Sequence, residues 1–158
     1  MNEKFYELPP EKQQRIINAG LEVFGAHDYP QASTDDMTAK AEISKGLLFY
    51  YFKNKKEFYL FLFDYCCEFF RSQVVTEDFI KITDFFDLME YAARIKYSVI
   101  LQYPYMMNFV MKAYYSRREE VSEAMKTRIA STLGEIYTVY FKNIDFSRFK
   151  PNVDPQQL

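Results

Sequence analysis

The sequence has no tryptophan, one histidine, two cysteines, and only 4 glycines and 6 prolines in 158 residues. Each scarcity removes a class of protein. His27 stands alone and Cys66 and Cys67 are adjacent, so there is no zinc-ligand spacing and no disulfide framework. No metal or other cofactor is expected, and a reducing, cytoplasmic setting suits the two thiols, read as small hydrophobes on a buried helix. So little glycine and proline disfavours collagen and a turn-rich β-sandwich, while 49% hydrophobic and 27% charged residues disfavour disorder. Long apolar runs are missing too. The densest, Phe58 to Phe63, is closed by Asp64, far short of the roughly 18 residues a membrane span needs. A soluble protein with no membrane partner is expected. The N-terminus, MNEKFYELPPEK, has charges on both sides of its few apolar residues and no h-region, so no secretory signal is read there. Asp84, Asp87 and Glu90 form a charged helix face without a Ser/His/Asp set, paired carboxylates or a Gly-rich phosphate loop. The expectation is a protein that is not an enzyme.

What is present is helical periodicity. From Pro10 to Phe24 the apolar positions Ile16, Ile17, Gly20, Leu21 and Phe24 recur at three and four residues, with Pro9 and Pro10 suited to a first turn and His27 to Pro30 ending the helix. Ser33 or Thr34 can cap a second, two-turn helix with Asp35 and Asp36 at its positive end. Ser44 caps a third from Lys45 to Phe52, and Asn54 with Glu57 has the spacing of a capping box for a fourth, about Lys55 to Val74, apolar on nearly every side. Further helices are read from Thr83 or Asp84 to Tyr103, from Pro104 to Tyr115 and from Ser116 to Phe141, and a loop from Asn143 onward. The chain is all-α in this reading.

Three short helices before a long buried one, with the tight turn Ala41 to Ser44 between the second and third, is the pattern of a helix-turn-helix. Charge agrees with it. From Lys40 to Lys56 there are five lysines against one acid, Glu42, so +4 sits inside a chain whose formal total is −2. Duplex phosphates reward such clustering through counterion release, and the N–H groups opening the third helix can bind a phosphate. A solvated lysine face is the plain alternative for a charge run alone.

The segment Thr34 to Phe58, TDDMTAKAEISKGLLFYYFKNKKEF, closely resembles the DNA-binding signature of the TetR family of transcriptional regulators. That pattern has a Thr capping the second helix, Ser-x-Gly-x-Leu-Tyr opening the recognition helix, an aromatic-x-His/Tyr-Phe run and then Lys-x-x-Leu. Thr34, Ser44, Gly46, Leu48, Phe49, Tyr51, Phe52, Lys55 and Phe58 occupy these places, and the resemblance covers about residues 10 to 60. It implies an N-terminal three-helix DNA-binding domain (residues 1–54) and a helical-bundle effector and dimerisation domain (55–158). DNA contact would fall to Thr34, Ser44, Lys45, Gly46, Leu47, Phe49, Tyr50, Tyr51 and Lys55. Thr34, Tyr51 and Lys55 would hold phosphates, Lys45 and Gly46 would enter the major groove, and Leu47 and Tyr50 would face base edges and sugar-phosphate. Leu48 and Phe52 would anchor the helix in the core. Three positions depart from the pattern: Phe49 replaces a tyrosine, and Glu42 and Asp28 replace glycines of the two turns.

The same resemblance implies a repressor that binds an operator duplex as a homodimer, with half-sites about 34–36 Å apart, and is released by a small effector. Tyr91, Tyr97, Tyr103, Met107, Phe109, Met111, Tyr114 and Tyr137 are the effector-site candidates, since Met adapts in shape and Tyr adds a polar tip to an apolar wall; ordinary core packing is the alternative for each. An apolar or planar effector is expected. Family members usually continue with two further helices that pair in the dimer, so the effector domain is expected to be incomplete at its C-terminal end and to leave apolar patches uncovered. The rival reading is a helical small-molecule sensor or protein-interaction module with a vestigial DNA-binding domain.

Overall fold

The computed structural model describes residues 3–115, 120–147 and 149–150. Among them are eight α-helices and a 3-10 turn at Glu3–Phe5, with no strand. The helices are α1 (Pro10–Ala26), α2 (Thr34–Ala41), α3 (Lys45–Phe52), α4 (Lys55–Val74), α5 (Glu77–Ile80), α6 (Phe85–Gln102), α7 (Pro104–Tyr115) and α8 (Ser122–Tyr140). Capping explains most of the starts. Ser33, Ser44, Asn54, Thr76 and Asp84 each present a side-chain oxygen to a backbone N–H of the following turn, satisfying a donor that the helix itself cannot. Ser33 is the cap of α2, so Thr34 is its first helical residue. Asn54 takes the Glu57 N–H at 2.8 Å, while its own N–H goes to the Phe52 carbonyl. Only the Asn54 half of the expected capping box is made with Glu57.

Two short elements carry no periodic signal and lie outside the sequence expectation. The Glu3–Phe5 turn drops the fully buried Phe5 ring against Tyr51, Phe52 and Phe61, and α5 is a single turn held by Thr76. The last helix begins its described course at Ser122; residues 116–119, part of the expected Ser116 to Phe141 helix, lie outside the described residues. So do residue 148 and residues 151–158 of the expected loop.

One large buried cluster joins α1, α2, α3, α4, α7 and the start of α8, running without interruption past residue 54. Its centre is aromatic: Phe24, Phe52, Phe58 and Phe109 are fully buried, and Phe52 meets Phe58 at 4.6 Å between ring centroids. Two glycines let helices approach. A Cβ on Gly20 would lie 2.6 Å from Leu62 and Phe58 atoms of α4, and one on Gly25 would lie 2.9 Å from the Tyr105 carbonyl oxygen of α7. A smaller cluster at the far end gathers Val74, Phe79, Leu88 and Ile144, with Phe85, Tyr91, Tyr140 and Phe141 packed around it. Between and outside these clusters α6, α7 and α8 leave large apolar side chains exposed, including Tyr97, Leu101, Met111, Tyr115 and Leu133.

Candidate nucleic-acid interface

The turn between α2 and α3 is built from the backbone outward. Glu42 adopts a left-handed conformation (φ 53°, ψ 46°), the place where glycine is usual because a Cβ is disfavoured there. Its N–H returns to Ala39 O at 3.2 Å and that of Ile43 to Thr38 O at 3.0 Å, the paired bonds of a Schellman turn. Arg15 of α1 secures the arrangement, donating from Nε to Ala41 O at 2.8 Å and pairing Nη1 with Glu42 Oε2 at 3.1 Å. The acid that stands beside the proposed DNA face is thereby neutralised. Asp28, expected to take the other glycine-like position, is not among the positive-φ residues; Lys53 is (φ 63°, ψ −51°). Lys53 sits at the centre of a strained γ-turn closed by Asn54 N–H to Phe52 O at 2.7 Å, which turns the chain from α3 into α4.

Beyond that turn, α3 presents an exposed N-terminal edge. Ser44, Lys45 and Gly46 are at the surface, Tyr50 is 50% exposed, and a Cβ on Gly46 would meet nothing nearer than Ser44 Oγ at 4.0 Å. Gly46 therefore leaves a bare strip of backbone at the helix end that carries the positive pole. Thr34 is half-buried at the start of α2. Leu47 and Phe49 pack against the large cluster from its margin, while Leu48 and Phe52 are fully buried beneath them.

Two of the expected phosphate holders lie partly under cover. Tyr51 is only 6% exposed, its ring edge-on to Phe5 at 5.8 Å, because the N-terminal turn covers it. Lys55 is half-buried over the Tyr29 ring at 4.6 Å and donates to Pro30 O at 3.3 Å, tying α4 to the loop between α1 and α2. Lys40 pairs with Glu22 at 2.8 Å, which holds its ammonium above the usual lysine range, and Lys45 pairs with Asp35 at 2.9 Å. These pairs and the Arg15 clamp are invisible in the chain order, since each joins residues distant in sequence. The one hint is an acid, Glu42, where the turn favours glycine.

The eight effector-site candidates are dispersed. Phe109 belongs to the large cluster, meeting Tyr59 at 4.9 Å. Tyr91 and Tyr137 lie at the far end, Tyr91 sharing a 2.8 Å hydrogen bond with Thr76 and Tyr137 packing on Phe141. Tyr97, Tyr103, Met111 and Tyr114 are exposed, and Met107 is half-buried. A solvent-open cavity of about 460 Å³ lies elsewhere, lined by Tyr29, Pro30, Asn54, Lys55, Lys56 and Glu120. Cys66 is buried and Cys67 half-buried, and burial pushes both thiols up, as inert side chains require. His27 is exposed, no helix of the described residues is long and apolar enough to cross a membrane, and no group of three His, Cys, Asp or Glu side chains among them is placed to hold a metal ion.

Residues 16–61 match the family model described as "Bacterial regulatory proteins, tetR family". Over 47 residues, 30% of the chain, the sequence is 43% identical to the uncharacterized HTH-type transcriptional regulator TtgW of Pseudomonas putida. The match takes in 35% of that relative, so the chain spans about a third of the curated relative's length. The fold is similar to the crystal structure of a TetR family transcriptional regulator from Chloroflexus aurantiacus, with a TM-score of 0.58 and 24% identity, covering 87% of this chain and 66% of that one. Helical architecture and N-terminal signature coincide in the same elements, α1 to α4, and it is in these elements that the chain is similar to the TetR family of regulatory proteins.

Proposed function

We propose that this protein is a DNA-binding transcriptional regulator that represses by binding an operator duplex as a homodimer, and that a small apolar or planar effector releases it. The observation that carries the reading is the exposed N-terminal edge of α3, where Lys45, the bare Gly46 backbone and Tyr50 stand together above the buried Leu48 and Phe52. In a helix-turn-helix this edge enters the major groove, and a lysine there reads guanine O6 and N7. Thr34 and Ser44 flank it as polar contacts to phosphate, with Leu47 for apolar contact. Phe49 supports the face from below, and Lys55 and Tyr51 act by shaping the α3–α4 corner. The effector would be bound by α6, α7 and α8, where Tyr91, Met107 and Tyr137 are half-buried and exposed apolar side chains are frequent.

Selection from a pool of random duplexes tests the reading. Sequence-selective enrichment is expected, lost in a Lys45→Ala, Tyr50→Ala variant and weakening steeply as salt rises. Absence of any selective enrichment sinks it in favour of a sensor or interaction module.

A further inference from the structure

Three of the reading unit's ion pairs lie around α2 and the start of α3, and they are not alike. Lys40 with Glu22 and Arg15 with Glu42 both fasten α2 onto α1, and so hold the unit together. The third, Lys45 Nζ to Asp35 Oδ1 at 2.9 Å, joins the first turn of α2 to the first residue of α3 across the exposed edge. Its side chains are 49% and 73% exposed, and neither reaches the core.

Neither partner is required by the helix on which it stands. A cation at a helix N-terminus faces the positive end of the dipole, so Lys45 is poorly placed for the stability of α3. The N-terminus of α2 is already served by Asp36 and by the Ser33 cap, so a second acid in that turn is redundant for the helix. An exposed carboxylate on a duplex-facing edge would also repel phosphate. What Asp35 does there is occupy the ammonium that would otherwise bind any phosphate within reach.

We propose that Asp35 is a positioning residue that acts through Lys45, holding its ammonium out of indiscriminate phosphate contact until a guanine edge at the right register displaces the carboxylate. The inference rests on the DNA-reading function above. An exposed ion pair is weak enough for a bidentate base contact to break it. On a random duplex Lys45 stays with Asp35 and contributes no phosphate contact; on the operator it is released. Asp35 thus raises the ratio of selective to indiscriminate binding while lowering affinity for both.

Fluorescence anisotropy of the full chain on two labelled duplexes tests this, one selected by the unaltered protein and one of random sequence. Asp35→Asn is expected to tighten random-duplex binding about five-fold at about 0.1 M salt and to steepen its log K against log salt slope by about 0.9, the signature of one added phosphate contact. The selected duplex should gain less, so the ratio falls, and Asp35→Glu should restore it. On a Lys45→Gln background Asp35→Asn should change the slope little. An equal effect in both backgrounds would mean that Asp35 acts through the general field, and this overturns the proposal. So does an unchanged selected-to-random ratio in Asp35→Asn and Asp35→Ser variants whose thermal melting is unaltered. If the unaltered protein binds neither duplex in a salt-dependent way, the DNA-reading function itself fails, and the inference with it.

Discussion

The half of the molecule around α1 to α4 and the far end around α5, α6 and the end of α8 solve the same packing problem differently. Side-chain caps start helices in both regions, but near the reading edge a left-handed residue and a γ-turn also set the two corners, and the aromatic cluster beneath them is fully buried. At the far end the buried set shrinks to four residues ringed by half-buried aromatics, and Phe86 of α6 stands 70% exposed. Geometry is specified locally where a helix edge must be presented in one pose. Where it is not, the chain relies on broad apolar contact, which tolerates rearrangement.

Substitution can break or sharpen this contrast. The largest effect is expected at the aromatic centre: Phe52→Ala should cost about 3–5 kcal/mol in denaturant unfolding, because it leaves a cavity among Phe5, Phe58 and Phe61. The same truncation at exposed Phe86 should stay within about 0.5 kcal/mol, and a comparable loss at both sites would erase the distinction between the two regions. Next come the glycines. Gly25→Ala should destabilise by about 1–3 kcal/mol, since its methyl would meet the Tyr105 carbonyl, whereas Gly134→Ala on α8, with nothing within 4 Å, should gain about 0.8–1 kcal/mol in helix propensity.

Smaller shifts are expected at the corners. Ser44→Ala should lose about 1 kcal/mol by removing the cap on Leu47 N–H, and Lys53→Gly should recover about 1 kcal/mol of γ-turn strain; differential scanning calorimetry resolves both signs. The smallest effect concerns the link from α7 to the α1–α2 loop. Lys112 donates to and neutralises Asp28, holding that carboxyl below its ordinary value of 3.8. A depressed folded pKa gives stability that is complete above the unfolded value and lost as pH falls through the folded one. The acid limb of a pH–stability curve below about 4 should therefore flatten slightly in Asp28→Asn, and an unchanged limb would remove this pair from the account.

Legibility in the sequence follows the same division. The spans of α3, α4 and α7 and the capping roles of Ser44 and Asn54 can be read directly, because each signal lies within a few residues of its effect. The position of α2 is equally plain, but the sequence allows either Ser33 or Thr34 as its cap, and the backbone chooses Ser33. Positive φ occurs at Glu42 as the family pattern implies, but the second such residue is Lys53 and not Asp28, since turn closure and not the pattern decides it. The resemblance gives Tyr51 as a phosphate holder and says nothing of Phe5, 46 positions earlier, which packs against its ring. Contacts across such separations leave no periodic trace in a sequence. The effector candidates rest on residue type alone, a criterion that cannot tell a shared wall from separate surroundings.

The missing Cβ of Gly25 also has a mechanical meaning. With backbone of α1 and α7 in direct apposition there, and the Phe24, Tyr59 and Phe109 rings packed beside it, the joint has no compressible side-chain layer to absorb a displacement. This contact ties α7 directly to the helix that carries Arg15 and Glu22, the two anchors of α2. The absence of one methyl group thus sets how closely α7 can stand to the helix on which the reading edge is mounted.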